Sequence, residues 1–255
     1  MIAAPSQEAE ILAQVLSLRN DPVGFVHYAY PWKRPGTPFA NFSGPRRRQM
    51  EELEAIGEHV RKQEFAIANG LPAPIWRSAY SSGRGPGKSA LFGMLAHWQM
   101  STRIGSTCIV AANTETQLRT RTFPEFAVWL GAAVNSHWFV QETMRIVPAQ
   151  WLIDIVKALP EEGGLGIDPK YWYAAGQTWS ADNPNSFAGV HNPYGLLLAF
   201  DEAAGIPSAV WDVSEGFWTE TNPYRFWLAA SQMRQRSGRF FEIFNDKQIG
   251  QGWRA

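Results

Sequence analysis

Ser82-Gly83-Arg84-Gly85-Pro86-Gly87-Lys88-Ser89 lies between a short strand-like stretch, Ile75 to Tyr80, and a segment in which Leu91, Met94, Leu95 and Trp98 recur at i, i+3, i+4 and i+7. Strand, glycine-rich loop, helix is the setting that the pattern G-x-x-x-x-G-K-[ST] requires. Ser82 replaces the first glycine, while Gly87, Lys88 and Ser89 keep the rest. Small residues let backbone N–H groups curl round a phosphate, and the start of the following helix adds partial positive charge. Lys88 then reaches the β- and γ-phosphates and the Ser89 hydroxyl ligates Mg²⁺. The expected nucleotide contacts are Ser82, Gly83, Arg84, Gly85, Gly87, Lys88 and Ser89, with ATP and Mg²⁺ as the ligands. Taken alone, the stretch also reads as an ordinary Gly/Pro turn before a helix.

The second signal is Leu196-Leu197-Leu198-Ala199-Phe200-Asp201-Glu202, a continuous apolar run closed by two acids. Such a run suits a strand covered on both faces, and a parallel sheet delivers its strand ends to the ligand crevice. Asp201 is expected to hold Mg²⁺, directly or through water, and Glu202 to orient and deprotonate the attacking water. The alternative is a strand running into a helix, with Asp201 as its cap.

Around these motifs the chain alternates. Ser6 to Arg19 reads as a helix with Ile11, Leu12, Val15 and Leu16 on one face, ended by Asp21-Pro22. An aromatic loop rich in Gly and Pro follows, from Tyr28 to Gly44. A second helix runs from about Arg46 to Asn69, with Met50, Leu53 and Ile56 as its stripe and Gly70 as its stop. Strands are expected at Ile75–Tyr80, Thr107–Ala112, Arg145–Val147, Tyr171–Ala175, Leu196–Phe200 and Phe226–Ala230, with a helix at Ser89–Met100 and another from Thr114 broken near Pro124. Strands alternating with helices argue for a parallel α/β sheet. Residues 1–70 read as an N-terminal helical extension and 71–255 as the core.

The 255 residues carry 23 Lys+Arg and 23 Asp+Glu, so no strongly basic surface shows in the total and any DNA contact must be local or shared among subunits. Cys108 is alone, which leaves no intrachain disulfide and suits a reducing cytoplasm. No apolar run approaches the ~20 residues needed to cross a membrane. His27, His59, His97, His137 and His191 have no metal spacing. Trp129, Trp138, Trp172 and Trp227 read as core.

The motifs in this order resemble the ATPase domain of the large subunit of viral DNA-packaging terminases. Arg84 occupies the basic position that many terminases carry in this loop. Ala112-Asn113-Thr114-Glu115-Thr116-Gln117-Leu118-Arg119 resembles the segment after the family's second core strand. Phe187-Ala188-Gly189-Val190-His191 is similar to the stretch before its acidic strand. Ser237-Gly238-Arg239-Phe240-Phe241-Glu242, past the strand ending at Ser231, resembles the motif that couples hydrolysis to movement. There the family usually has a small polar residue such as Thr or Asn at the strand end; this chain offers Ser231, with Gln232 as second choice.

The resemblance implies a P-loop NTPase of the ASCE/RecA-like kind, an α/β fold with a mostly parallel central sheet flanked by helices plus the N-terminal extension. It implies an ATP hydrolase that moves double-stranded DNA into a capsid, as a homo-oligomeric ring working with a portal protein and a small terminase subunit in the cytoplasm of a bacterial host. Gln49 would recognise adenine, or else begin a solvated helix. Arg46, Arg47 and Arg48 would bind DNA phosphate or lie in solvent. Arg84, with Lys88 and Glu202, would be catalytic, stabilising γ-phosphate charge in cis unless it points to solvent. Arg234, Arg236 or Arg239 would reach a neighbour's nucleotide, touch DNA, or serve as surface charge. Thr114 to Gln117 would contact DNA or the P-loop helix, or simply cap a helix at Asn113 or Thr114. The family's C-terminal nuclease domain has no counterpart before Ala255, so no nuclease activity is expected. The rivals are a helicase-like ATPase, for whose second RecA-like lobe 255 residues leave no room, and a small-molecule kinase, which generally lacks the adjacent Asp-Glu.

Overall fold

A computed structural model describes residues 5–83, 85, 87–159, 167–219 and 224–255. Arg84 and Pro86 lie outside them, and so does the expected role of Arg84. The strands are β1 (Trp76–Ser81), β2 (Thr107–Ala112), β3 (Phe139–Gln141), β4 (Arg145–Pro148), β5 (Tyr173–Thr178), β6 (Leu196–Asp201) and β7 (Arg225–Ser231). They form one sheet in the order β1-β7-β6-β2-β5-β4-β3. The pairs β1–β7, β7–β6, β6–β2 and β2–β5 are parallel, and β4 and β3 add an antiparallel edge. The architecture is α/β with a mostly parallel sheet flanked by helices, as the alternation predicts.

Strand residues alternate between two buried layers, which is why these strands read as apolar runs rather than polar–apolar alternations. Cys108, Val110, Leu197, Ala199, Phe226 and Leu228 face one layer. Ile109, Ala111, Leu198, Phe200, Trp227 and Ala229 face the other. The first layer is roofed by α1 (Pro5–Ser17), α2 (Pro22–Ala29), α3 (Arg47–Ala68), α4 (Lys88–Thr102) and α6 (Phe123–Ala132). Beneath the second lie α8 (Ser208–Glu215) and α9 (Arg239–Asn245).

Helix α4 is buried along its whole length after Ser89. It is wedged between the sheet and the other roof helices, in contact with α1, α2, α6 and β2, so it has no solvated face. A Cβ on Gly93 would sit 3.2 Å from Phe126 Cδ1, which is how closely α4 and α6 approach.

Several expectations change. Helix α1 ends at Ser17, and Asp21 caps α2, accepting the Gly24 N–H at 2.9 Å with Pro22 in the first turn; the short α2 falls where no helix is expected. On α1 Ile11 and Val15 are buried, and Leu12 and Leu16 stay exposed. Pro124 does not break a helix. A short α5 (Glu115–Gln117) passes through one π-helical turn, Leu118–Thr122, into α6, where Pro124 lies in the first turn and needs no intrahelical donor. Helices α7 (Gln150–Ala158), α8 and α9 and strand β3 have no counterpart in the sequence reading. The outer edge of β1 is covered by the C-terminal segment, with Arg254 N donating to Arg77 O and Ala79 N donating to Arg254 O.

Candidate nucleotide site

The expected motifs meet at the C-terminal edge of the parallel strands, where open α/β sheets bind ligands. In the sheet register Ser81 lies opposite Ser231, and Asp201 opposite Ala230. The glycine-rich loop leaves β1 and the acidic pair ends β6, with β7 between them. Two strand spacings put the motifs about 10 Å apart, which leaves room for a phosphate, a metal ion and water.

The loop is built to close on an anion. Gly85 and Gly87 adopt positive φ, 82° and 84°, which a side chain would strain. A Cβ on Gly87 would also collide with Gln49 Nε2 at 2.6 Å. Helix α4 begins at Lys88, so its first free N–H groups point into the loop. Lys88 Nζ donates to the Gly83 and Ser82 carbonyls at 3.1 and 3.4 Å. The ammonium is thus held at the loop mouth, among neutral acceptors that a phosphate would outcompete. Ser82 N donates to Ser231 O at 3.0 Å, fixing the start of the loop to the end of β7.

Asp201 is 7% exposed and accepts from Thr122 Oγ1 at 3.1 Å. Burial pushes its carboxyl above the ordinary aspartate range; the Thr122 hydrogen bond pulls it back, the charge of Glu202 pushes it up further, and Gln117 and Lys88 pull it down. A cation beside Asp201 would restore its charged form. Asp201 is not a helix cap. Glu202 follows in the left-handed region, φ 56° and ψ 44°, a strained turn that lifts its side chain out of the strand. Ser231 Oγ donates to Glu202 Oε2 at 3.4 Å, so the expected coupling residue touches the expected base. Gln232 joins them in a polar cavity of about 340 Å³ that Asn113, Gln117, Arg121, Arg234 and Gln235 also line.

Ser89 and Asp201 supply one hydroxyl and one carboxylate. Among the described residues no group of three or more His, Cys, Asp or Glu could hold a metal by itself. That donor set suits Mg²⁺, which keeps its waters and takes one or two protein ligands plus substrate phosphates.

Gln49 reaches the loop, with both ends of its amide engaged. Oε1 accepts the Arg46 N–H at 2.8 Å and Nε2 donates to Gly87 O at 2.7 Å. The Arg46 guanidinium also donates to Gly85 O, while Arg47 pairs with Glu51 one turn on. Arg239 pairs with Asp212 on α8. Thr114 caps α5, accepting from Gln117 N at 3.1 Å.

The sequence reading missed an aromatic cleft of about 290 Å³ at the Gly87 side of the loop. Trp32, Phe39 and Phe42 line it from the N-terminal loop, with Trp129 and Glu125 from α6. Trp129 lies 4.9 Å from Phe39 and 5.0 Å from Tyr30, ring centroid to centroid, and donates to Glu125 Oε1 at 3.0 Å. Trp138, Trp172 and Trp227 are core as expected, but Trp129 is not fully buried. The available signal was a surface loop dense in aromatics with no helical or strand period to bury them.

No protein-family model matches the chain, and no curated protein matches it. A phage terminase domain is similar. It is a mutant of the large terminase ATPase domain of Thermus phage P74-26, with 19% identity over 75% of this chain and 73% of that one and a TM-score of 0.42. What the site can do follows from its own geometry.

Proposed function

We propose that this chain is the ATP-hydrolysing motor domain of a terminase large subunit, driving double-stranded DNA into a capsid. The observation that carries the hydrolase reading is the convergence at one sheet edge of Lys88 in its loop, Asp201 on its buried strand end, and Glu202 hydrogen-bonded to Ser231. The terminase assignment rests on the order of the motifs along the chain.

ATP would lie with its base in the aromatic cleft and its phosphates along the Gly83–Lys88 loop. Lys88 and the α4 N-terminus would hold phosphate charge, Ser89 and Asp201 would hold Mg²⁺, and Glu202 would take the proton of the attacking water. Held there, Mg²⁺ would supply positive charge to offset that of the phosphates. Loss of γ-phosphate would be felt at Glu202 and passed through Ser231 to β7 and Gln232. Residues 1–70 would bring Trp32, Phe39 and Phe42 to the base side of the site, where Trp129 joins them, and 71–255 would form the catalytic core.

With 23 positive and 23 negative side chains, the motor would grip DNA through local contacts, as one subunit of a ring on a portal with a small subunit, in the host cytoplasm. No helix among the described residues is long and apolar enough to cross a membrane.

Phosphate release measured without any acceptor tests the reading. Lys88→Ala should abolish nucleotide binding, and Glu202→Gln should keep binding while slowing turnover about 10²–10⁴-fold. Turnover that needs a small-molecule acceptor would make the chain a kinase. The chain should leave plasmid DNA intact with Mg²⁺ or Mn²⁺; nicking that survives both substitutions would reveal a separate nuclease centre.

A further inference from the structure

The segment after β2 touches both ends of the nucleotide site. Thr122 bonds Asp201, and Glu125, Val128 and Trp129 line the aromatic cleft. Arg121 lines the polar cavity that holds Glu202, Ser231 and Gln232. Eight residues of helix separate Arg121 from Trp129, about 12 Å at 1.5 Å per residue, comparable to the reach from a nucleobase to its terminal phosphate. The π-helical turn Leu118–Thr122 forms the end of the segment that faces Asp201 and Glu202. Such turns are rare and recur at functional sites, because they re-aim side chains that an unbroken helix would point elsewhere. Here the turn presents consecutive residues to one site, Thr122 to the buried carboxylate and Arg121 to the cavity above it.

The charges in that cavity point the same way. Its lining carries one carboxylate, Glu202, four amides, and the guanidinium groups of Arg121 and Arg234. Arg234 Nε is already bonded to Gln232 Oε1 at 2.7 Å. Arg121 has no carboxylate partner among the described residues, in contrast to Arg119 one turn-face away, which pairs with Glu115. A cation with no carboxylate partner among the described residues shares this cavity with the proposed general base and with Ser231, whose carbonyl accepts from Ser82 N at the start of the loop; its charge is matched by an anion that arrives with the substrate.

We propose that Arg121 is a catalytic residue that contacts the γ-phosphate in cis, so that the Leu118–Ala132 segment reads base and γ-phosphate together. The inference rests on the ATPase reading above. In the reaction the water oxygen bonds to the γ-phosphorus as the bond from that phosphorus to the β,γ-bridging oxygen breaks. The water proton passes to Glu202, and ADP and inorganic phosphate form. Arg121 forms no bond; its fixed positive charge opposes the negative charge on the γ-oxygens, which ADP does not have.

Wild type is compared with Arg121→Ala, Arg121→Lys and, for the neighbouring cation, Arg234→Ala. Turnover is measured with and without double-stranded DNA, and binding of ADP alone and of ADP with aluminium fluoride by calorimetry. Arg121→Ala should lose about 10³-fold or more in turnover, within the range of arginine fingers. It should keep its ADP affinity within about 2-fold and lose most of the extra affinity that aluminium fluoride confers. Arg121→Lys should recover part of both. Equal turnover in Arg121→Ala and wild type, with Glu202→Gln inactive, overturns the proposal. So does a loss confined to the DNA-stimulated rate, which would place Arg121 on DNA, or a loss that follows Arg234 instead. Hydrolysis that survives in both Lys88→Ala and Glu202→Gln would instead overturn the ATPase reading beneath it.

Discussion

Replacing Gln49 by Ala removes two hydrogen bonds at once, one from Arg46 N and one to Gly87 O. The side chain is 6% exposed, so water does not substitute freely. Each bond is worth about 0.5–1.5 kcal/mol net. Gly87 O keeps its second partner, Leu91 N at 3.0 Å, so it is under-satisfied rather than orphaned. The global cost should be about 1–3 kcal/mol, read as a lower denaturation midpoint with an unchanged m-value. The local cost matters more. The bond to Gly87 helps hold the loop in its anion-binding form, and about 1 kcal/mol is worth about 5-fold in the population of that form, hence about 5-fold in apparent nucleotide affinity. This loss should be the same for ATP and GTP, because an amide spent on Arg46 and Gly87 reads no base. Fluorescent-analogue competition by ATP, GTP and ADP measures it. A Gln49→Ala chain that loses ATP affinity while its GTP affinity stays put would refute the tether and return Gln49 to direct adenine recognition.

Trp129→Ala should weaken all purine nucleotides by about 1–3 kcal/mol, the usual value of one base–aromatic stack, with little change in turnover at saturation; unchanged affinity would move the base out of the cleft. Thr122→Val removes a donor that favours the ionised Asp201. The carboxyl should then rise further, and the acid limb of Mg²⁺-dependent hydrolysis should move to higher pH; a superimposable pH profile would show that Asp201 does not set that limb. His97 is buried, its Nδ1 sharing a hydrogen bond with the Tyr30 hydroxyl, and burial lowers its pKa from 6.5 to about 3. Its folded value is depressed, so the neutral ring's contribution is complete above pH 6.5 and is lost as pH falls toward 3, by up to about 1.4 kcal/mol per pH unit. In denaturant titrations between pH 6.5 and 4, His97→Gln should decline less steeply than wild type; parallel curves would mean that His97 stays neutral in the unfolded chain or is not buried.

How much was written in the chain itself depends on range. The loop Ser82–Ser89, the acids Asp201 and Glu202, the strands Thr107–Ala112 and Leu196–Phe200 and the helix α4 were legible because each is local: a period, a cap or a run of residue types within one element. Strand β1 was legible despite Arg77 because its apolar neighbours set the pattern, while the partner that makes Arg77 acceptable, Glu215 at 2.7 Å, comes from α8 far along the chain. The order β1-β7-β6-β2 was not legible, since strand neighbours are chosen by packing between distant segments, and it alone puts Ser231 between the loop and Glu202. Nor was the π-helical turn, which depends on α6 packing on α4 while Thr122 reaches Asp201. The aromatic cleft needed Trp32 and Phe39 from the N-terminal loop and Trp129 from α6, some 90 residues apart in chain order. Types of residue at fixed spacing determined what chemistry the chain can support. Which side chains share a site, and which amides are already spent on backbone, was decided only when long-range burial brought those elements together.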